Sequence, residues 1–312
     1  MATKIPTNTS TLLQPLATNT PAHIEAAVIT SLRSLTPAHK LELARDMNRM
    51  ADRLALAGIQ RRRPAASAHE LGYALAIQRL TPEQRPYGDI LLKGLSLMPM
   101  PVDPLALALR IGALLDAHAI PYLVVGSVAA VVHGEYRMTR DIDIVLNLAP
   151  RDVRALVDEL REGFTFLPSD ITDALARLPE ARADWQQRAS FCAYDKATGF
   201  QIDIYLSSGR PFEVAQFQRG EVLDILGDSG GTLRVASAED TVLAKLEWFK
   251  LAPSDRQWRD VQAILRVQDD ALNHAYLRQW AAELAISDLL EYALKGQLPP
   301  RPDDDPRQQR LF

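Results

Sequence analysis

The run Asp141–Leu146 constrains the fold of this chain more than any other segment, because its acidic and aliphatic residues alternate. Alternation with a period of two is typical of a β-strand that turns one face to the core and the other to solvent. Asp141 and Asp143 then leave the same face, where their charges repel and raise the pKa of one carboxyl unless a cation lies between them. Taken alone, the pattern also fits a solvated strand face, so residues elsewhere decide between the two interpretations.

A third acid and a glycine turn favour a functional site over a solvated face. Asp203 lies in a second strand-like run, Phe200–Leu206, again between aliphatic residues. Three carboxylates from two neighbouring strands can hold two divalent ions about 4 Å apart, and oxygen ligands suit Mg²⁺. Gly126 and Ser127 lie between a short apolar strand and the start of a helix, where backbone N–H groups and a hydroxyl suit a phosphate.

Composition excludes several other classes of protein. Hydrophobic residues make up 47% and charged residues 24% of the 312 residues, which is ordinary for a globular chain. The longest nearly apolar run, Ile120–Val132, is too short to cross a bilayer, which needs about 20 residues. The first thirty residues contain no sustained apolar block, so we expect neither a signal peptide nor a membrane partner. Cys192 is the one cysteine, expected to be a packing residue, and a reducing cytoplasm is the simplest location.

The stretch Val125–Ile144 resembles the signature of the polymerase β-like nucleotidyltransferase superfamily. That signature is an apolar residue, Gly, then Gly or Ser, a spacer, and Asp-x-Asp or Asp-x-Glu, with a third acid later in the chain. Here the spacer between Ser127 and Asp141 is residues 128–140. The form Arg137-Met-Thr-Arg-Asp-Ile-Asp is most similar to small bacterial nucleotidyltransferases, which include antibiotic-modifying enzymes and members of toxin–antitoxin and abortive-infection (AbiEii-like) systems. The resemblance covers roughly residues 104–250.

The resemblance implies a fold class and a reaction. The expected fold is α+β, with a polymerase β-like core of mixed β-sheet and flanking helices between an N-terminal helical domain and a C-terminal helical region. By resemblance, Asp141 and Asp143 bind both of two Mg²⁺ ions, and Asp203 binds one of them and helps to deprotonate an acceptor hydroxyl. The implied reaction moves an NMP from an NTP to that hydroxyl and releases pyrophosphate.

Several residues are also expected to contact the nucleotide. Arg140, directly before the first acid, can hold a phosphate or pair with neighbouring acids. The resemblance implies that Lys245 and Arg259, on helices after the core, face the nucleotide; the alternatives are a lysine lying along its helix and an arginine in a surface ion pair. His133 is expected to be a core or capping histidine. The expected nucleotide contacts are Gly126, Ser127, Arg140, Lys245 and Arg259.

Composition and periodicity divide the chain into six segments. They are a flexible lead (1–21), an N-terminal helical domain (22–85), a Pro- and Gly-rich linker (86–103), the nucleotidyltransferase core (104–236), a C-terminal helical region (237–298) and a Pro- and Asp-rich tail (299–312). Helices are predicted at 37–58, 68–80, 104–118, 128–133, 150–163 and in four stretches of 238–294. Strands are predicted at 122–125, 141–146, 190–194, 200–206, 221–226 and 232–235.

The N-terminal part of the chain is basic, although the whole chain has a formal charge of −4. In the helix that begins after Thr36, Arg45, Arg49 and Arg53 recur every four residues and form one stripe, which the run 61–63 extends. The stripe can grip the phosphates of an RNA acceptor, dock on the acidic remainder of the chain and gate the site, or simply be a solvated helix face. The expected packing face of this helix is on its other side: Leu43, Met47, Met50 and Leu54.

We therefore expect a cytoplasmic, Mg²⁺-dependent nucleotidyltransferase that uses an NTP such as ATP. Its acceptor can be RNA such as tRNA, a protein, or a small hydroxylated molecule. The rival interpretation is a non-catalytic nucleotidyltransferase-like protein that binds a cognate toxin or antitoxin. The intact trio of acids favours the enzyme, because a non-catalytic module need not retain them.

Overall fold

The structure is a computed structural model that describes residues 20–82, 84–166, 168–225 and 231–300. Most of the predicted lead (1–21) and tail (299–312), and nearly all of the turn predicted at 227–231, lie outside the described residues. Among the described residues, no helix is both long and apolar enough to cross a lipid bilayer.

The middle of the chain contains both helices and strands, and its two described ends are helical. The helices are α1 (Ala22–Ser34), α2 (Pro37–Arg62), α3 (Ala68–Arg79), α4 (Gly88–Leu91), α5 (Pro104–Ala117), α6 (Gly126–His133), α7 (Val153–Gly163), α8 (Pro168–Ala176), α9 (Leu178–Ala183), α10 (Pro211–Arg219), α11 (Ala238–Leu251), α12 (Asp255–Gln268), α13 (His274–Glu283) and α14 (Ser287–Leu294). The strands are β1 (Tyr122–Val125), β2 (Asp141–Leu146), β3 (Phe164–Thr165), β4 (Ser190–Asp195), β5 (Gln201–Leu206), β6 (Glu221–Asp224) and β7 (Thr232–Val235).

The predicted helix starts are confirmed by their capping contacts. The Thr36 side chain accepts a hydrogen bond from the backbone N–H of His39 at the start of α2. The Asp103 side chain accepts one from the backbone N–H of Ala106 at the start of α5. Ser67 and Glu70 form a reciprocal capping box at the start of α3. Helices α4, α8, α9 and α10 and strand β3 were not predicted, and α2 runs past Gly58 to Arg62.

The described residues form two compact units. One unit spans residues 35–237 and contains the whole sheet; the other combines residues 20–34 with 238–300 and is helical. The predicted N-terminal helical domain (22–85) is therefore divided: α1 groups with the C-terminal helices, whereas α2 and α3 belong to the sheet unit. Within the helical unit, the Arg33 guanidinium donates to the carbonyl oxygens of Arg266 and Val267 at 2.6 and 3.1 Å, which joins α1 to the end of α12.

A seven-stranded mixed sheet organises the larger unit. The strand order is β3-β4-β5-β2-β1-β7-β6, with parallel pairs β2–β5 and β1–β7 and the other neighbours antiparallel. In β2 and β5 the aliphatic residues Ile142, Ile144, Ile202 and Ile204 are buried in the main core, while the acids that alternate with them are half-buried. The fold is α+β, as predicted.

The predicted packing face of α2 is wrong. Met47, Met50 and Leu54 are 37%, 63% and 68% exposed, so the apolar stripe lies on the surface. The buried face is adjacent, and Leu41 and Ala44 on it belong to the core of the sheet unit. The periodicity misled because the buried face contains small and polar residues: Ala44 permits close approach, and Lys40 is buried with its ammonium bonded to a backbone carbonyl oxygen.

The N-terminal part of the sheet unit, residues 35–103, is called the N-terminal segment, and it packs against the β4–β5 hairpin. Leucines of the predicted linker, Leu92, Leu95 and Leu97, form an apolar cluster with Ala76 of α3 and Tyr194 of β4. Gly199 in the hairpin turn contacts this cluster. Its backbone is left-handed, and a Cβ there would lie 3.0 Å from the Cβ of Ala76. The predicted linker (86–103) therefore packs helix α3 onto the sheet.

Lys40 is a buried cation on the contact face of α2. Its side chain is 3% exposed, and its ammonium donates to the carbonyl oxygen of Val132, at the C-terminal end of α6, at 3.3 Å. Burial lowers the pKa of Lys40 from its usual 10.5 to about 8. A helix C-terminus favours a cation, which offsets part of this cost.

We expect the depressed pKa of Lys40 to make stability depend on pH. Below pH 8 both states carry the proton, and the folded state bears the cost of burying the charge. Between about pH 8 and 10.5 the folded lysine loses its proton while the unfolded one keeps it, so stability rises with pH. Urea unfolding at pH 7 should find Lys40→Met more stable than the wild type by up to about 3 kcal/mol, and this difference should shrink towards pH 10. A difference independent of pH would contradict the buried-charge account.

Candidate active site

The parallel register of β2 and β5 places two of the predicted acids side by side. Asp143 is directly opposite Asp203 on one side and Val125 of β1 on the other. Asp141 is opposite Gln201, and Cys192 of β4 is opposite Asp203. Because directly opposed residues share a face of a sheet, all three carboxylates lie on the half-buried face.

The glycine turn lies against Asp143. Gly126 has a left-handed backbone (φ +61°), and a Cβ there would overlap Asp143 Oδ2 and lie 2.5 Å from its Cγ. The backbone N–H of Ser127 points to the same oxygen at 3.5 Å. Only glycine therefore allows this turn and this carboxylate to approach so closely.

Ser127 is tied into the acid cluster by its hydroxyl. The Ser127 and Thr139 hydroxyls form a short hydrogen bond, and each lies 3.4 Å from Asp141 Oδ1. Thr139 also donates to the backbone oxygen of Asp141 at 2.7 Å. Because each hydroxyl has one proton, the Ser127 hydroxyl donates to Thr139, and Thr139 in turn donates to the Asp141 backbone. Ser127 is buried, and its predicted contact with a phosphate stays a prediction.

Two neighbouring side chains donate to the third acid. Gln201 Nε2 donates to Asp203 Oδ1 at 2.6 Å, and Cys192 Sγ donates to the same oxygen at 3.1 Å. Burial raises the pKa of Asp203, and the charge of Asp141 raises it further, while the two donors oppose this shift. Burial together with Asp203 raises the pKa of the Cys192 thiol, so Cys192 is a neutral hydrogen-bond donor here.

The negative potential of this face extends to Tyr205. Burial raises the pKa of its phenol, and the charges of Asp143 and Asp203 act in the same direction. Arg188 acts in the opposite direction and brings a positive charge to the site. Asp141, Asp143 and Asp203 thus all act on this tyrosine within one half-buried surface, which favours a cation there.

The donor set fits a hard divalent cation by its chemistry. Carboxylate oxygens are the ligands that Mg²⁺ prefers, and a cation relieves the repulsion between Asp141 and Asp203. Across the described ranges, however, no three His, Cys, Asp or Glu side chains are already gathered as a metal-binding group. Asp203 Oδ1 is instead held by Gln201 and Cys192.

The remaining predicted residues lie in different surroundings. Arg140 is exposed just before β2. Lys245 and Arg259 belong to the helical unit, where the Lys245 ammonium is 2.8 Å from Asp260 Oδ2 in a buried ion pair and Arg259 is exposed. The Lys245 side chain therefore points into the interior of the helical unit. His133 is buried with Nε2 2.7 Å from the Ala236 carbonyl oxygen, as expected of a core histidine.

Sequence reasoning missed the residues that hold the acids in place. Gln201 is two residues before Asp203 on the same strand face, and Cys192 faces Asp203 across the hairpin. The predicted hairpin could have indicated both residues, because the pairing of its two strands determines which side chains lie next to Asp203. Arg188, just before β4, carried no periodic signal.

Comparisons with known proteins match two parts of the chain. Residues 107–226 match a family described as nucleotidyltransferase of unknown function (DUF6036). Residues 33–90 match a family described as Rv0078B-related antitoxin. No curated protein matches the chain.

Two solved structures resemble the chain distantly. One is an antigenic nucleotidyltransferase-like protein from Paracoccidioides brasiliensis, with 15% identity and a TM-score of 0.39, covering 62% of this chain and 92% of that one. The other is the antibiotic-resistance factor ANT(2'')-Ia, with 13% identity and a TM-score of 0.35, covering 61% and 99%. Likenesses at these TM-scores establish neither fold nor activity.

Residues 107–226 are thus similar to a nucleotidyltransferase family, in agreement with the resemblance that the sequence predicted. The matched residues include the glycine turn and all three acids.

Gly126→Ala is expected to destabilise the protein more than Gly94→Ala. Both glycines are left-handed, at φ +61° and +75°, so each substitution costs about 1–2 kcal/mol of backbone strain. No atom lies within 4 Å of a Cβ at Gly94, whereas at Gly126 it overlaps Asp143. Displacing that carboxylate should cost a further 1–3 kcal/mol or so, measured by urea unfolding. Equal losses in the two variants would mean that Asp143 does not lie against the turn.

Proposed function

We propose that this protein is a Mg²⁺-dependent nucleotidyltransferase that moves an NMP from an NTP to an acceptor hydroxyl and releases pyrophosphate. The observation that carries the proposal is the register of β2 and β5, with Asp143 beside Asp203, Asp141 on the same face and Gly126 against Asp143. Carboxylates so arranged around a glycine turn suit a metal-bound triphosphate.

Each acid has a proposed role. Asp141 and Asp143 would hold two Mg²⁺ ions, and Asp203 one of them; when bound, the metal would neutralise charge on the phosphates and activate the acceptor oxygen. Asp203 would take the proton of the acceptor hydroxyl. Catalysis would then rest on positioning and charge neutralisation.

The phosphates would be bound at the glycine turn and by cations. The backbone N–H groups after Gly126 open helix α6, and a helix N-terminus favours an anion. Arg140 is exposed next to the first acid and is available to a phosphate. Lys245 and Arg259 remain proposed nucleotide contacts; for Lys245 this requires that the nucleotide compete with Asp260 for the ammonium.

The acceptor belongs to one of three classes: RNA such as tRNA, a protein, or a small hydroxylated molecule. We propose a cytoplasmic location, because the chain has one cysteine and is free of disulfides. The arginine stripe of α2 would serve an RNA acceptor, although Arg45 and Arg49 pair with Asp46 and Asp103 at 3.3 and 3.8 Å.

The antitoxin-family match favours a second candidate function, the binding of a cognate toxin or antitoxin. The match covers α2 and α3. On α2, Met47, Met50 and Leu54 form an exposed apolar stripe, a surface of the kind that contacts other proteins. This binding and catalysis are compatible, because the stripe and the acids involve different residues.

Asp141→Asn and Asp143→Asn are each expected to reduce pyrophosphate release to background, because each removes a charge that holds metal. The assay supplies Mg²⁺, each NTP in turn and a cell extract fractionated into RNA, protein and small molecules. Asp158→Asn is the matched control: Asp158 is exposed on α7 and pairs with Arg154 at 3.8 Å, and its loss should change nothing.

The same assay separates the two candidate functions. Release that depends on Asp141 and Asp143 supports the transferase. Release that is equal in the wild type and both variants, or absent with every NTP and fraction, would contradict it and leave the partner-binding function.

A further inference from the structure

A chain of two glutamine side chains connects the N-terminal segment to the third acid. Gln84 Nε2 donates to Gln201 Oε1 at 2.7 Å, and Gln201 Nε2 donates to Asp203 Oδ1 at 2.6 Å. Both glutamines are partly buried. Gln84 lies after α3, within the segment that matches the antitoxin family.

The direction of these hydrogen bonds is determined at both ends. The backbone N–H of Thr81 donates to Gln84 Oε1 at 3.0 Å, and a backbone N–H can only donate. Gln84 must then present its NH₂ to Gln201, and Gln201 must present its own NH₂ to Asp203. An ionised carboxylate can only accept, so turning either amide over would place two acceptors or two donors together.

The packing around this chain fixes its two ends relative to each other. Leu80 and Ala76, just before Gln84, pack against Tyr194, and Tyr194 is directly opposite Gln201 in the sheet. The N-terminal segment therefore covers the acid-bearing face next to Asp203. Buried hydrogen bonds within such packing hold side-chain orientation more firmly than exposed ones do.

We propose that Gln84 is a positioning residue that holds the carboxylate of Asp203 through Gln201, so that the segment 33–90 sets the geometry of the third acid. Gln201 and Cys192 occupy Oδ1, and we assign Oδ2 to the metal and the acceptor proton. The catalytic consequence rests on the proposed function, whereas the positioning itself does not. Any partner that moved this segment would disturb Asp203.

The substitution Gln84→Glu tests this positioning role while keeping the local hydrogen bond between Thr81 and residue 84. A glutamate side chain still accepts the hydrogen bond from the Thr81 N–H, but it has no N–H to donate to Gln201. Thr81→Val is the matched control: it removes the hydroxyl that accepts from the Gln84 backbone at 3.4 Å and leaves the backbone N–H that orients Gln84.

Two measurements on the full chain test the positioning without turnover. The side-chain NH₂ signals of Gln201 in a ¹H–¹⁵N spectrum, identified by their loss in Gln201→Ala, should move in Gln84→Glu and exchange faster with water. The affinity for Mn²⁺, followed by water-proton relaxation, should fall about 10- to 100-fold, as is typical when the support of a metal ligand is removed. Thr81→Val should match the wild type in both.

Pyrophosphate release gives a third measurement, in which Gln84→Glu should lower kcat and leave the KM for NTP nearly unchanged. Unmoved Gln201 signals in Gln84→Glu, or equal changes in Thr81→Val, would overturn the positioning role. A wild type that releases no pyrophosphate would overturn the proposed function instead, and the Gln201 signals would still decide the positioning role.

Discussion

The arrangement of this protein depends on one pairing, the parallel register of β2 and β5 that sets Asp143 beside Asp203. Two like charges on adjacent strands are unfavourable unless a cation or hydrogen-bond donors compensate them. The surrounding residues reflect this constraint. Gly126 leaves room for the Asp143 carboxylate, Gln201 and Cys192 donate to Asp203, and the aliphatic residues that alternate with the acids secure the strands in the core.

The N-terminal segment is part of the same unit as the acids. Its leucines pack with Tyr194 on the acid-bearing face, and its Gln84 reaches Asp203 through Gln201. A segment similar to antitoxins and a domain similar to nucleotidyltransferases thus share one core. The uses predicted for the arginine stripe of α2 stay predictions; in the structure Arg49 of the stripe pairs with Asp103 at the start of α5.

Local signals in the sequence predicted most of the elements, whereas contacts between distant residues had to come from the structure. Alternation identified β2 and β5, and capping residues such as Thr36 and Asp103 identified helix starts, because these signals lie within a few residues of each other. The buried face of α2 was predicted wrongly, because Met47, Met50 and Leu54 follow helical periodicity without being buried. The position of Gln84 depends on how α3 packs against the sheet, which no local pattern encodes.

The central claim is that the three acids and the glycine turn form one metal–nucleotide site. Its most direct test is a crystal of the full chain soaked with Mn²⁺ and a non-hydrolysable NTP analogue, examined by anomalous diffraction at the manganese edge. The account predicts manganese peaks within about 2.5 Å of carboxylate oxygens of Asp141 and Asp143, with the triphosphate at Gly126 and Ser127. Manganese bound elsewhere, or a nucleotide bound away from the turn, would contradict it.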